Sequence, residues 1–221
     1  MMRTIALVSI TLNAANPMTD YLNQINSEIK ISNYLDTGLM DRIREEGQIS
    51  DELIGRMFGL LSRAAADGAD GIILTCTVFS AYVPYFSRLL SVPVICPDGA
   101  MLEKAAKAAG TKAIICTFEG TVRPTKDLYL RYCREYGAGE HVELYTLPDA
   151  YEAMQQGDIT TGNRLILKKV RELDGRYDHI ILAQISMAGA VNGYLPQHAV
   201  VYTSPASAYE ALNAAIELRS S

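Results

Sequence analysis

Cys76 is the residue of this sequence whose type and position best suit chemistry. It directly follows the apolar segment GIILT (71–75), which predicts a buried strand, and a helix is predicted to begin after it. N–H groups at the start of a helix lower the pKa of a nearby thiol, so a cysteine at this position can act as a base or as a nucleophile. The alternative interpretation is a buried structural cysteine, which is the commonest fate of this residue type.

The other three cysteines, Cys96, Cys116 and Cys133, are predicted to be structural. Cys116 lies inside a predicted strand, Cys96 ends one, and Cys133 lies in the middle of a predicted helix. The four cysteines form no CxxC motif and no Cys/His cluster in the 221 residues. The sequence therefore indicates neither a disulfide framework nor a metal site.

Small polar residues follow the apolar segments in both halves of the chain. Ligands of open parallel sheets bind beyond the carboxyl ends of the strands. We predict that the residues at these ends bind a substrate, namely Ser9, Asn13, Thr75, Thr77, Val78, Thr117, Gly120, Thr121 and Met187. None is Lys, Arg or His, which favours a carboxylate bound by neutral side chains and backbone N–H groups. Helix capping alone would also explain Thr121, and the absence of GxxxxGK[ST] and GxGxxG motifs disfavours a nucleotide.

Composition and charge indicate a globular protein of one large domain or two small ones. Hydrophobic residues make up 49% of the chain, and its net charge is −5. The mild acidity argues against a nucleic-acid-binding protein. No apolar run approaches the ~20 residues that span a bilayer, so no membrane partner is expected. The N-terminus shows no signal-peptide cleavage pattern, and we expect a cytoplasmic protein.

Strands and helices alternate along the sequence. Short apolar or alternating segments predict strands at 4–12, 28–35, 71–75, 92–96, 112–118, 142–147, 179–183 and 199–203. Helices are predicted from Pro17, from Ser50 to about residue 66, around Pro84, and over 100–109, 121–136, 160–173 and 205–218. This alternation predicts an α/β fold with mostly parallel sheets flanked by helices.

An internal repeat divides the chain into two similar lobes. GADGIILTC (68–76) resembles RYDHIILAQ (176–184) at an offset of 108, and TIALVSITLN (4–13) faces KAIICTFEGT (112–121) at the same offset. We predict an N-terminal lobe of 1–97 plus 199–221 and a C-terminal lobe of 98–198. If the lobes are related by a pseudo-twofold axis, we expect their strand-end turns to meet in an active-site cleft between them.

Three segments of the chain resemble the aspartate/glutamate/hydantoin racemase superfamily, which also includes maleate isomerase-like and arylmalonate decarboxylase-like enzymes. They are GADGIILTCT, IICTFEGTVRPT and DHIILAQISMAGA. The resemblance covers essentially the whole chain and implies cofactor-independent chemistry next to the carboxylate of a small acid. It implies that Cys76 is a catalytic cysteine, that the turn Thr117–Val122 binds the substrate carboxylate, and that the protein is a homodimer.

The sequence departs from the superfamily pattern where a second catalytic cysteine is expected. At the repeat offset, Cys76 pairs with Gln184, and a slip of two residues would pair it with Ser186 instead. Neither side chain titrates near pH 7, although Gln184 can donate a hydrogen bond and Ser186 can donate or relay a proton. We expect a racemase/isomerase-type enzyme that uses Cys76 as base or nucleophile. A one-cysteine decarboxylase or lyase and a non-catalytic carboxylate-binding protein are the alternatives.

Overall fold

The structure is a computed structural model that describes residues 3–220, apart from the side chains of Leu12, Asn13 and Ser220. Its residues divide into two compact units. One contains the chain up to Pro97 together with the residues from Pro205 onward, and the other is Asp98–Ser204. None of the described helices is both long and apolar enough to cross a membrane.

The first unit is built on a sheet that contains, among the described residues, four parallel strands. They are β1 (Thr4–Ser9), β2 (Lys30–Leu35), β3 (Gly71–Leu74) and β4 (Val94–Ile95), in the order β2-β1-β3-β4. Its helices are α1 (Leu12–Ile25), α2 (Thr37–Glu46), α3 (Asp51–Ala66), a 3-10 helix (Thr77–Tyr82) and α4 (Val83–Leu89). The central strand β3 is fully buried, as its apolar sequence predicts, whereas the edge strand β2 is partly exposed.

The second unit repeats this arrangement. Its described strands are β5 (Lys112–Cys116), β6 (Glu143–Thr146), β7 (His179–Leu182) and β8 (Val200–Tyr202), all parallel and in the order β6-β5-β7-β8. Its helices are α5 (Pro97–Lys107), α6 (Glu119–Glu135), α7 (Pro148–Gln155), α8 (Ile159–Leu173) and a second 3-10 helix (Ile185–Val191). The two parallel sheets with flanking helices confirm the predicted fold class.

The last strand and the last helix of the chain belong to different units. Strand β8 pairs with β7, with Val201 opposite Ile180, so the assignment of 199–203 to the N-terminal lobe was wrong. A short β-branched segment predicts a strand but carries no signal for the sheet that it joins. Helix α9 (Ser204–Ser220) packs in the first unit, where Arg219 donates hydrogen bonds to the carbonyl oxygens of Ser87 and Leu90.

The structural repeat has two offsets. Strands β3 and β7 correspond at the predicted offset of 108, since Cys76 and Gln184 occupy the same position after them. At the starts of these strands, Asp70 and Asp178 each accept a backbone N–H, from Thr4 and Thr111 respectively, at 2.7 Å. Along β1 and β5 the offset is 107 instead, because Val8 lies opposite Leu74 while Ile115 lies opposite Leu182. Ser9 therefore corresponds to Cys116, one residue from the position that the sequence alignment gave it.

Gly71 is required at the start of β3 by the close approach of α9. A Cβ atom at this position would lie 2.7 Å from Cδ1 of Leu212 and 3.0 Å from Cδ1 of Ile216. We expect Gly71→Val to lower the free energy of unfolding by about 1–2 kcal/mol through overpacking. Gly71→Ala should have a smaller effect, since the ends of the two side chains can move. Urea denaturation measures both, and equal stability of the valine variant and the wild type would contradict the prediction.

Asp174, at the end of α8, binds the segment that leads into β8. Its carboxylate accepts hydrogen bonds from the backbone N–H groups of Ala199, Gln197 and His198 at 2.8–3.0 Å and from the hydroxyl of Tyr194 at 2.8 Å. These donors, the N–H of Ala199 foremost, hold the pKa of Asp174 far below its usual value.

We expect Asp174→Asn to destabilise the protein by about 1–2 kcal/mol at neutral pH. Because the native pKa is lowered, this stabilisation is fully present above the unfolded-state pKa of about 4 and is lost as the pH falls below it. Thermal unfolding of both proteins between neutral pH and about pH 3 tests this expectation. A difference between them that stays constant over the whole range would contradict it.

Candidate active site

Cys76 lies where β3 meets the first 3-10 helix, at the position that caps this helix. Its backbone is extended, with φ −133° and ψ 106°, and only 6% of the residue is exposed. The first hydrogen bond of the helix runs from the N–H of Phe79 to the carbonyl of Cys76. The N–H groups of Thr77 and Val78 precede it, and no group in the described part of the chain accepts from them. Two unpaired N–H donors thus follow the cysteine directly in the chain.

Ser9 and Thr75 join the ends of β1 and β3 next to Cys76. Their hydroxyl groups lie 2.6 Å apart, and the residues are only 1% and 5% exposed. The N–H of Thr75 also donates to the carbonyl of Val8 at 3.0 Å. Both predicted residues therefore hold the strand ends together. The backbone of Asn13 lies in the first turn of α1, and its side chain lies outside the described part of the structure.

A buried contact between the first 3-10 helix and the end of β4 could not be predicted from the sequence. Oγ of Ser80, in the 3-10 helix, lies 2.8 Å from Sγ of Cys96 at the end of β4, and both residues are buried. The contact fixes the 3-10 helix against the sheet and is consistent with the structural role that we predict for Cys96.

Gln184 occupies, in the second unit, the position that Cys76 occupies in the first. It follows β7 and caps the second 3-10 helix, so the repeat aligns Cys76 with Gln184 and not with Ser186. Oε1 of Gln184 accepts two hydrogen bonds from Thr117, from the backbone N–H at 2.7 Å and from the hydroxyl at 3.1 Å. Because a backbone N–H can only donate, this contact sets the orientation of the amide. The amide thus joins the ends of β5 and β7.

The turn between β5 and α6 contains the other predicted residues of the second unit. Thr121 is not the helix cap, because α6 begins at Glu119, and its hydroxyl donates to the carbonyl of Phe118 at 2.6 Å. The N–H groups of Glu119 and Gly120 have no acceptor in the described chain. Gly120, which we predict to bind substrate, thus carries an unpaired N–H, and so does Glu119, which the sequence analysis did not name.

Met187, which we predict to bind substrate, lies in the second 3-10 helix. Its side chain is fully buried in the apolar core of the second unit, and its N–H donates to the carbonyl of Gln184 at 3.0 Å. Ser186, which precedes it, is only partly buried. Neighbouring residues of the 3-10 helix face opposite environments, and the sequence pattern did not separate them.

The family assignment comes from a match over most of the sequence. Residues 40–211 match the family model described as Asp/Glu/Hydantoin racemase. The chain belongs to this racemase family. No functionally curated protein matches it in sequence.

Solved structures of named racemases share the fold of this racemase-family chain. An aspartate racemase from Picrophilus torridus superposes with a TM-score of 0.74 at 13% identity, covering 97% of this chain and 94% of its own. A glutamate racemase from Bacillus anthracis gives 0.72 at 14% identity, with 98% and 82% covered. An allantoin racemase from Klebsiella pneumoniae gives 0.68 at 16% identity, with 98% and 88% covered. At these identities the likeness establishes the fold.

Cys116 of this racemase-family member cannot act as a second reactive thiol. It is the last residue of β5 and is fully buried, and burial raises its pKa to about 11, which the hydroxyl of Thr121 only partly offsets. The thiol of Cys116 therefore stays protonated at physiological pH. Among the described residues, no group of three or more His, Cys, Asp or Glu could hold a metal ion.

Proposed function

We propose that this protein is a cofactor-independent racemase- or isomerase-type enzyme that acts next to the carboxylate of a small acid, with Cys76 as its base or nucleophile. Membership of the racemase family supports racemase- or isomerase-type activity. The observation that carries the finer proposal is the position of Cys76 at a strand end, followed directly by the unpaired N–H groups of Thr77 and Val78. The proposal includes a homodimer in the cytoplasm.

The chemistry follows from the types of group present. The thiolate of Cys76 removes the proton from the carbon next to the carboxylate, and the electron pair of that C–H bond becomes enolate-like charge on the carboxylate. Backbone N–H donors stabilise such charge where it develops. To complete a racemisation, the α-carbon takes a proton on its other face, donated by Ser186 or relayed through it from water, while the thiol of Cys76 later returns its proton to solvent; Gln184 can donate a hydrogen bond only. We assign substrate binding to neutral groups at the strand ends, namely those of Ser9, Asn13, Thr75, Thr77, Val78, Thr117, Gly120, Thr121 and Met187.

A one-cysteine decarboxylase or lyase is the second candidate, and Gln184 favours it. The residue at the position equivalent to Cys76 does not titrate, and its amide oxygen is already bound to Thr117. In a decarboxylation the C–C bond to the leaving carboxylate breaks, its electron pair passes to the α-carbon, and carbon dioxide leaves. The Cys76 thiol then protonates the α-carbon and regains its proton from solvent. This decarboxylation requires only one thiol.

Proton exchange in deuterated water separates these candidates. Purified protein is incubated with amino acids, hydantoins, small dicarboxylates and arylmalonates, and NMR follows the α-proton while chiral chromatography follows the product. Exchange with inversion supports a racemase, and product formation with loss of carbon dioxide supports the decarboxylase. Saturable binding of a carboxylate without exchange or product would leave a carboxylate-binding protein and overturn both enzymatic proposals.

A further inference from the structure

An aromatic pair stands at the carboxyl end of the second sheet. The rings of Phe118, which precedes α6, and Tyr151, in the first turns of α7, are stacked with centroids 5.0 Å apart and an angle of 26° between their planes. Both residues are only partly buried, so the pair retains exposed apolar surface. Strands β5 and β6, which precede these two helices, are neighbours in the sheet. The pair therefore lies beside the proposed carboxylate-binding turn at Thr117.

Gly120 allows the ring of Phe118 to take this position. A Cβ atom at residue 120 would overlap the ring, so a larger residue there would displace it. The ring thus lies against the start of α6, next to the unpaired N–H groups of Glu119 and Gly120. Apolar aromatic surface and neutral N–H donors occur together at this strand end.

Basic residues are missing from the turns that follow the central strands β5 and β7 of the second unit. The segments 117–120 and 183–187 contain no Lys, Arg or His. The nearest basic residue after Thr117 in the chain is Arg123, whose side chain is 92% exposed and paired with Asp127 at 3.6 Å. A second carboxylate bound at these two turns would lose water without gaining a positive partner from either of them.

We infer that the substrate is a monocarboxylate whose other substituent is uncharged and aromatic or apolar, and that Phe118 and Tyr151 contact this substituent. This inference rests on the proposed function, because it assigns the specificity of the same site. Neutral N–H and hydroxyl donors suffice for one carboxylate, whereas an aromatic wall favours a ring or an alkyl group over a second anionic group.

Calorimetric binding of two matched acids tests the inference. 3-Phenylpropionate and glutarate both carry a carboxylate on a short chain, which ends in a phenyl ring in the first and in a second carboxylate in the second. We expect the phenyl acid to bind at least about tenfold more tightly near pH 7. Phe118→Ala should weaken its binding by about five- to tenfold, and Phe118→Leu, which retains apolar volume, should weaken it less.

Tyr136→Ala is the matched control, because this tyrosine follows the opposite end of α6. It should leave the affinity for both acids unchanged. Equal or tighter binding of glutarate, or equal effects of Phe118→Ala and Tyr136→Ala, would overturn the inference. If Cys76-dependent proton exchange persists in that case, the proposed function stands and only its specificity is wrong. If neither acid binds and no acid exchanges its α-proton, the proposed function fails as well.

Discussion

Replacing Cys76 with alanine is expected to slow α-proton exchange by about 10²- to 10⁴-fold, the range over which a positioned acid–base group accelerates a reaction. Thr75 and Thr77, the residues that flank Cys76, cannot form a base at neutral pH, and the nearby thiol of Cys96 is already in contact with Oγ of Ser80. The affinity for a carboxylate should change little, because the N–H donors of Thr77 and Val78 belong to the backbone. Exchange rates from NMR and affinities from calorimetry measure the two effects separately.

Cys133→Ala is the matched control for this experiment. Cys133 is a fully buried cysteine on α6, so its removal tests for a general effect of losing a buried thiol. We expect the control to keep the exchange rate of the wild type. Iodoacetamide provides an independent check, since it should label Cys76 before Cys116, whose pKa is about 11. If both alanine variants exchange the α-proton equally fast, Cys76 is not the base.

Apolar pattern alone was enough to predict the fold class but not the pairing of every strand. The IIL triplets at 72–74 and 180–182 lie in the fully buried strands β3 and β7, as their periodicity requires. Helix α2 was missed because it is highly charged and buries only Leu39 among its described side chains. The start of α1 was placed too late, at Pro17, although the helix begins at Leu12 and includes this proline.

The candidate site was predictable where it depends on sequence order and not where it depends on register. Cys76 and Gln184 each follow an apolar triplet, so their equivalence could be seen at an offset of 108. The bond between Gln184 and Thr117 depends on how β5 and β7 align, which the sequence does not show. The stack of Phe118 on Tyr151 likewise joins residues that are distant in the chain and approach only because β5 and β6 are neighbours.

Gln184→Leu is expected to lower the free energy of unfolding by about 2–3 kcal/mol. Leucine resembles glutamine in size but cannot accept the two hydrogen bonds from Thr117, which is only 3% exposed. The backbone N–H of Thr117 would then be buried without an acceptor. Burying an N–H group that has lost its hydrogen bond to water and gains no other costs its full desolvation free energy. For a chain of this size the melting temperature should fall by about 4–12 °C.

Gln184→Glu is the matched control, because its carboxylate still offers an oxygen to both donors of Thr117. We expect its melting temperature to stay within about 2 °C of the wild type, although it removes the amide N–H₂ group. If the glutamate variant also keeps the wild-type rate of proton exchange, then Gln184 positions Thr117 and its amide N–H₂ group is not needed as a hydrogen-bond donor. A leucine variant as stable as the glutamate variant would show that the contact between Gln184 and Thr117 does not stabilise the second unit.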